Sequence, residues 1–198
     1  MATSYCDGII SRNIEDTTCA NAPKKGIERV ALIINRSDID FANLTFDDTK
    51  KNCITAMALV SKAQAYKVIQ KGPKPFSGLK QSAEVGTYAT TVTNEVPIVL
   101  LNNDQKNGET IDALLRGEFV VVVPFKDKGE EGGSGYRVFG IHNGMTASAF
   151  EADPYGDTFG GGIVTLKEEG APSAAIYLGT DATTGKALFD SLTAAAAA

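Results

Sequence analysis

A mainly β chain, built as a β-sandwich or half-barrel with a short flanking α-helix and an extended N-terminal arm and loops, is predicted by three observations. The first is a run of bare aliphatics, Phe119-Val-Val-Val-Val123, which ends at Pro124 and is followed by a charged, glycine-rich stretch, Lys126 to Gly135, and then by Tyr136-Arg-Val-Phe-Gly140. Branched and aromatic runs on either side of a flexible polar loop make a long hairpin. The second is the number of short runs of branched residues separated by Gly, Pro, Asn and Asp, roughly seven to nine strands in all. The third is the scarcity of helical periodicity: one short segment carries it clearly, and a second less so.

Taken in order, residues 1–26 have no period and finish in Asn21-Ala-Pro-Lys-Lys-Gly26, which reads as an arm. Cys6 and Cys19 fall in it, either as small half-buried residues or as a pair. Glu28 to Asn35 reads as the first core strand, closed by a turn through Ser37 and Asp38. Asp38-Ile-Asp-Phe41 suits a strand end or a loop pinned by Ile39 and Phe41. The segment Cys53 to Ile69 permits a helix with Ile54, Met57 and Ala58 on one face, but strand character is favoured at both ends. Lys71 to Gly78, with Pro73 and Pro75, is a loop. Glu84 to Leu101 reads as one long strand, or as two broken at Pro97, followed by a turn over Asn102 to Gly108.

Glu109 to Gly117 is the clear helix. It is about two turns long, with Ile111, Leu114 and Leu115 on one face, acids in its first turn and Gly117 placed for a left-handed cap. Gly160 to Leu166 gives a further strand. Lys167 to Pro172 then turns into the last strand, Ala174 to Leu178, and a final helix spans Thr183 to Leu192. Residues 27–193 are expected to form one domain, with 194–198 an alanine tail.

Composition narrows function. Lys plus Arg number 19 against 24 Asp plus Glu, a net charge of −5, so the chain lacks the basic balance of a phosphate-gripping surface. One histidine and no tryptophan leave few general bases and little sugar-stacking surface. Cys6, Cys19 and Cys53 have no metal-ligand spacing, which points to no metal and no cofactor. Their odd count, with no secretory leader and no apolar stretch of membrane length, predicts synthesis in a reducing cytosol and no membrane partner.

The candidate chemical groups are few. His142 lies in the turn Gly140-Ile-His-Asn-Gly144, with Asp153 and Asp157 as the nearest carboxylates to serve it in sequence; a solvated turn is the simpler reading. Asp153-Pro-Tyr-Gly-Asp157 lacks the donor pattern of a calcium loop. Gly160-Gly-Gly162 has no Lys-Ser/Thr and no helix after it, so close backbone packing or a bulge explains it better than a phosphate cradle. Glu130 and Glu131 sit in a solvated loop. No catalytic set emerges, and the chain reads as an assembly subunit rather than an enzyme.

A short helix leads through Gly117 into a strand, a long polar hairpin, Tyr136 to Gly140, and then Asp157-Thr-Phe-Gly-Gly-Gly-Ile-Val-Thr-Leu-Lys-Glu-Glu-Gly-Ala-Pro172. This order resembles the major tail tube proteins of tailed bacteriophages. Cys6, Cys19 and Gly26, followed by Ile27 to Asn35 and Asp38-Ile-Asp40, are similar to tail-like proteins from phages of Bacteroidota. The resemblance implies a virion protein, made in the host cytoplasm, with no active site. It also implies self-association into stacked, hexameric rings, contacts with other virion tail proteins, and a lumen through which DNA passes without specific binding. Arms and loops such as Met1 to Gly26 and Lys71 to Thr87 would reach neighbouring rings. A head-to-tail connector, a capsid-decorating protein and a carbohydrate-binding or adhesive β-module are the alternatives.

Overall fold

The computed structural model describes residues 24–87, 89–128 and 133–194. Its elements are β1 (Val30–Asn35), β2 (Thr45–Phe46), β3 (Cys53–Ala56), β4 (Ala65–Ile69), β5 (Lys80–Val85), β6 (Thr90–Leu100), α1 (Gln105–Arg116), β7 (Phe119–Pro124), β8 (Tyr136–Phe139), β9 (Thr146–Glu151), β10 (Gly162–Ala171), β11 (Ile176–Leu178) and α2 (Ala182–Ala194). A seven-stranded sheet has the order β2-β3-β11-β8-β7-β1-β4, and a four-stranded sheet the order β5-β6-β10-β9. The predicted mainly β, sandwich-like fold is therefore present, with two sheets and two α-helices among the described residues.

The aliphatic runs are explained by burial on both faces. In β7, Val120 and Val122 enter one core with Leu32, Ile34, Ile54 and Leu178, while Val121 and Val123 enter a second core with Ala31, Val96, Val164 and Leu166. The first core lies between the large sheet and α2, which contributes Leu192, Leu188 and Phe189; the second lies between the two sheets. A strand covered on both sides has no polar face, so its sequence loses the alternation of a half-buried strand. Each fully buried valine contributes about 1.5–3 kcal/mol.

The small sheet alternates instead. Along β6, Val92, Asn94, Val96 and Ile98 point inward, while Thr91, Thr93 and Glu95 on the opposite face are only half-buried. A row of polar side chains crosses this sheet from Gln81 through Asn94 to Glu168, and its ends meet Arg137 and the amide of Gly140. The row thus ties the small sheet to β8 and to the turn that follows it.

Several expectations are corrected. The strand break falls at Gly86–Ala89, not at Pro97, which sits within β6 opposite Thr165. β5 ends opposite Glu95, so the edge of β6 at Pro97 has no ladder partner and needs no N–H; its carbonyl, on the same side, accepts from Gln70 Nε2 at 3.3 Å. α1 begins at Gln105 because Asp104 caps it, accepting from Asn107 N at 2.7 Å, so the predicted turn over Asn102 to Gly108 is largely helix. Gly117 is extended (φ −90°, ψ 171°) rather than left-handed. Its lack of a side chain serves the Phe119 ring, which a Cβ there would approach to 2.2 Å. On α1, Leu114 is buried and Ile111 packs against the second core, but Leu115 is exposed.

β10 runs on through the expected turn at Lys167. It is bent by a register shift between Glu168 and Ala171, where Gly170 takes φ +71°. The stretch Lys71 to Thr87, expected to reach outward as a loop, contains β5. It also contains Phe76, 1% exposed in the second core, whose amide bonds Gln70 Oε1 at 2.6 Å. Phe41 is exposed, with the Arg36 guanidinium 5.0 Å from its ring centroid, so only Ile39 pins that loop.

Candidate functional site

The catalytic candidates do not converge. His142 stacks on Phe46, with centroids 6.3 Å apart and planes 9° from parallel, and its carbonyl accepts from Arg36 Nη2 at 2.9 Å. Asp153 Oδ1 accepts from Tyr155 N at 2.9 Å and its carbonyl from Gly156 N at 3.1 Å, so this carboxylate closes its own turn. Among the described residues no three His, Cys, Asp or Glu side chains group as a metal site. Cys53 is buried, and burial pushes its thiol pKa above the ordinary value, which disfavours the reactive thiolate. Cys6, Cys19, Glu130 and Glu131 lie outside the described residues.

The triple glycine packs closely, as its sequence implied. A Cβ on Gly161 would lie 2.1 Å from the Leu100 carbonyl oxygen, and one on Gly162 would lie 2.4 Å from the Phe150 ring.

One acid outside the candidate set is buried in a strand. Glu168 is 2% exposed in β10. Its Oε2 accepts from Asn94 Nδ2 and from Gly140 N, both at 2.9 Å, and its Oε1 from Asn143 N at 3.3 Å. Asn94 Oδ1 in turn accepts from Gln81 Nε2 at 2.8 Å, and Gln81 Oε1 from Arg137 Nη1 at 3.1 Å. The Arg137 guanidinium lies 4.3 Å from the Phe125 centroid. A buried carboxylate is tolerated when hydrogen bonds replace its water, and here those bonds tie the small sheet to the β8–β9 turn. The charge is met by three donors, the Asn94 side chain and the amides of Gly140 and Asn143. It is a structural clamp.

Among the described residues, what remains open is backbone. β5 and β9 are the two edges of the small sheet, each six residues long and exposed except at Gln81 and Ala147. The Gly86 amide bonds the Ala89 carbonyl at 2.9 Å, and alternation from that pair turns the N–H and C=O of Gln81, Ala83 and Val85 away from β6. Val85 is 83% exposed beside them. Sequence reasoning located this hairpin only in part, and missed β9, because Thr-Ala-Ser-Ala-Phe-Glu has too few branched residues to register as a strand. No protein-family model, no curated protein and no solved structure matches this chain.

Proposed function

We propose that the chain is a structural subunit of a tube, of the phage tail tube kind, in which the small sheets of neighbouring copies join into one continuous barrel. The observation that carries this reading is the geometry of the small sheet's two open edges. Its four strands are all antiparallel, so β5 and β9 run in opposite directions. A rotated copy then brings its β5 antiparallel to β9, and the alternation continues around a ring.

The stagger fits as well. β5 lies opposite Thr90–Glu95 of β6, whereas β9, through β10, lies level with Glu95–Val99. The offset between strand centres is about 4.5 residues, or about 15 Å, across four strand spacings of about 19 Å. Joining the edges therefore tilts the strands by about 38°, within the roughly 35–45° that closed barrels adopt. Six copies would supply about 24 strands and a backbone diameter of about 47 Å, which leaves room for a DNA duplex. The face turned from the core carries Thr91, Thr93 and Thr165, with Glu95 held by Lys80 at 3.0 Å and Lys167 held by Glu169, so it offers no unpaired basic stripe to hold phosphate. Such a subunit has no catalytic role and acts in the virion tail, after assembly in the host cytoplasm.

Ala83→Pro tests the reading. The substitution deletes an outward N–H without touching the β5–β6 ladder, so the subunit should keep its circular dichroism while sedimentation reveals loss of the closed rings formed by the unmodified chain. Equal association by both proteins would remove the β5 edge from the interface.

A further inference from the structure

A cleft of about 440 Å³ opens between the start of β1, the base of the β7–β8 hairpin and α2. Its walls include Pro124, Tyr136 and Phe189, and its rim carries Arg29, Lys126 and Lys128, with the Lys128 ammonium 4.7 Å from the Tyr136 ring. Two acids also line it. Asp190 is engaged by Lys186 at 2.5 Å, which leaves Glu28 against three cations. In a chain of net charge −5 this is a local basic site with aromatic walls.

The complementary shape occurs elsewhere on the same chain. From the end of β9 to the start of β10, residues 151–161 contain Glu151, Asp153 and Asp157 and no basic residue. Tyr155 is 98% exposed and Phe159 71% exposed. The loop is nonetheless built: Asp153 closes its first turn, Phe159 N bonds Gly156 O at 3.1 Å, and the carbonyl of buried Thr158 accepts from Asn102 N and Gly161 N, both at 3.0 Å. Phe159 holds φ +52°, a conformation unfavourable for a bulky residue. An ordered acidic loop that holds two aromatic rings in water has the form of an interface element.

We propose that this loop of one copy, through Tyr155 and Asp157, docks in the basic cleft of a second copy. The inference rests on the reading of the chain as a self-assembling subunit, and adds to strand pairing a side-chain contact that fixes which copies meet. Cleft and loop share no residue, so one copy can offer its loop to one neighbour and its cleft to another, and the contact can propagate from copy to copy.

Two variants, both in the Ala83→Pro background, isolate it. One carries Lys126→Glu with Lys128→Glu, leaving the loop intact; the other carries Tyr155→Ala with Asp157→Lys, leaving the cleft intact. Each alone should sediment as a monomer at high micromolar concentration, with circular dichroism unchanged. Their mixture should form a one-to-one dimer, because a single functional cleft meets a single functional loop, and added salt should dissociate it. Monomers in the mixture, beside normal rings from the unmodified chain, would overturn the docking and leave the tube reading standing. A dimer in the mixture, with no rings from the unmodified chain, would support the docking and sink the tube. A dimer formed by either variant alone would place the contact on other residues and overturn the proposal.

Discussion

Glu168→Ala should lower the unfolding free energy by about 3–5 kcal/mol, as expected when two or three hydrogen bonds to a buried carboxylate are lost at about 1.5–3 kcal/mol each. The carboxylate serves three donors at once, Asn94 Nδ2 and the amides of Gly140 and Asn143. Alanine leaves them facing a void that has lost its acceptors, and each unsatisfied buried group costs about 1–3 kcal/mol. Glu168→Gln keeps the volume and one acceptor but turns an NH₂ toward other donors, so it should fall between alanine and the unmodified chain. Urea denaturation followed by circular dichroism measures both. A loss under about 1 kcal/mol for alanine would mean that water reaches the carboxylate and that the clamp between sheet and turn is not needed.

Gly161→Ala should cost about 3 kcal/mol, at the upper end of overpacking penalties. Its new methyl would fall 2.1 Å from the Leu100 carbonyl oxygen and 3.0 Å from that of Asn102. Both are backbone atoms, which cannot swing aside as a side chain can, so β6 and β10 must part where their pairing begins at Leu100 and Gly162. Gly108→Ala is the informative contrast. Nothing lies within 4 Å of a Cβ there, and the site is inside α1, so alanine should stabilise by about 0.5–1 kcal/mol. Opposite signs for two glycine-to-alanine changes in one denaturation series would separate close approach from helix propensity; a neutral Gly161→Ala would mean that the strand ends have slack.

The core strands were legible because their residues have only one use. Ala31 to Ile34 and Phe119 to Pro124 are buried on both faces, as a central strand requires. The Cys53 to Ile69 segment yielded its two ends as strands for a similar reason, its branched residues being gathered there. Boundaries failed where a single side chain outweighs composition. Asp104 starts α1 four residues earlier than the polar stretch suggested, and Gly170 lets β10 bulge and continue through an acidic segment that reads as a turn.

The candidate surface was legible only in outline. Lys80 to Val85 and Thr146 to Glu151 are edge strands with little to bury, so neither carries a strong pattern. Their direction and stagger depend on pairings far apart in the chain, such as Ile163 with Val99 and Glu151. Glu168 was hidden for the opposite reason. Within Lys-Glu-Glu-Gly it has the look of a solvated charge, and only the approach of Asn94 and the Gly140 turn makes it a buried one.

Negative-stain electron microscopy of the purified, unmodified chain tests the tube directly. The account predicts rings or tubes of uniform diameter with a stain-filled lumen, the inner wall of each ring about 47 Å across at the backbone for six copies. A population of single, well-separated subunits at every concentration, with no ring or tube on addition of preformed tail structures as seeds, would contradict it.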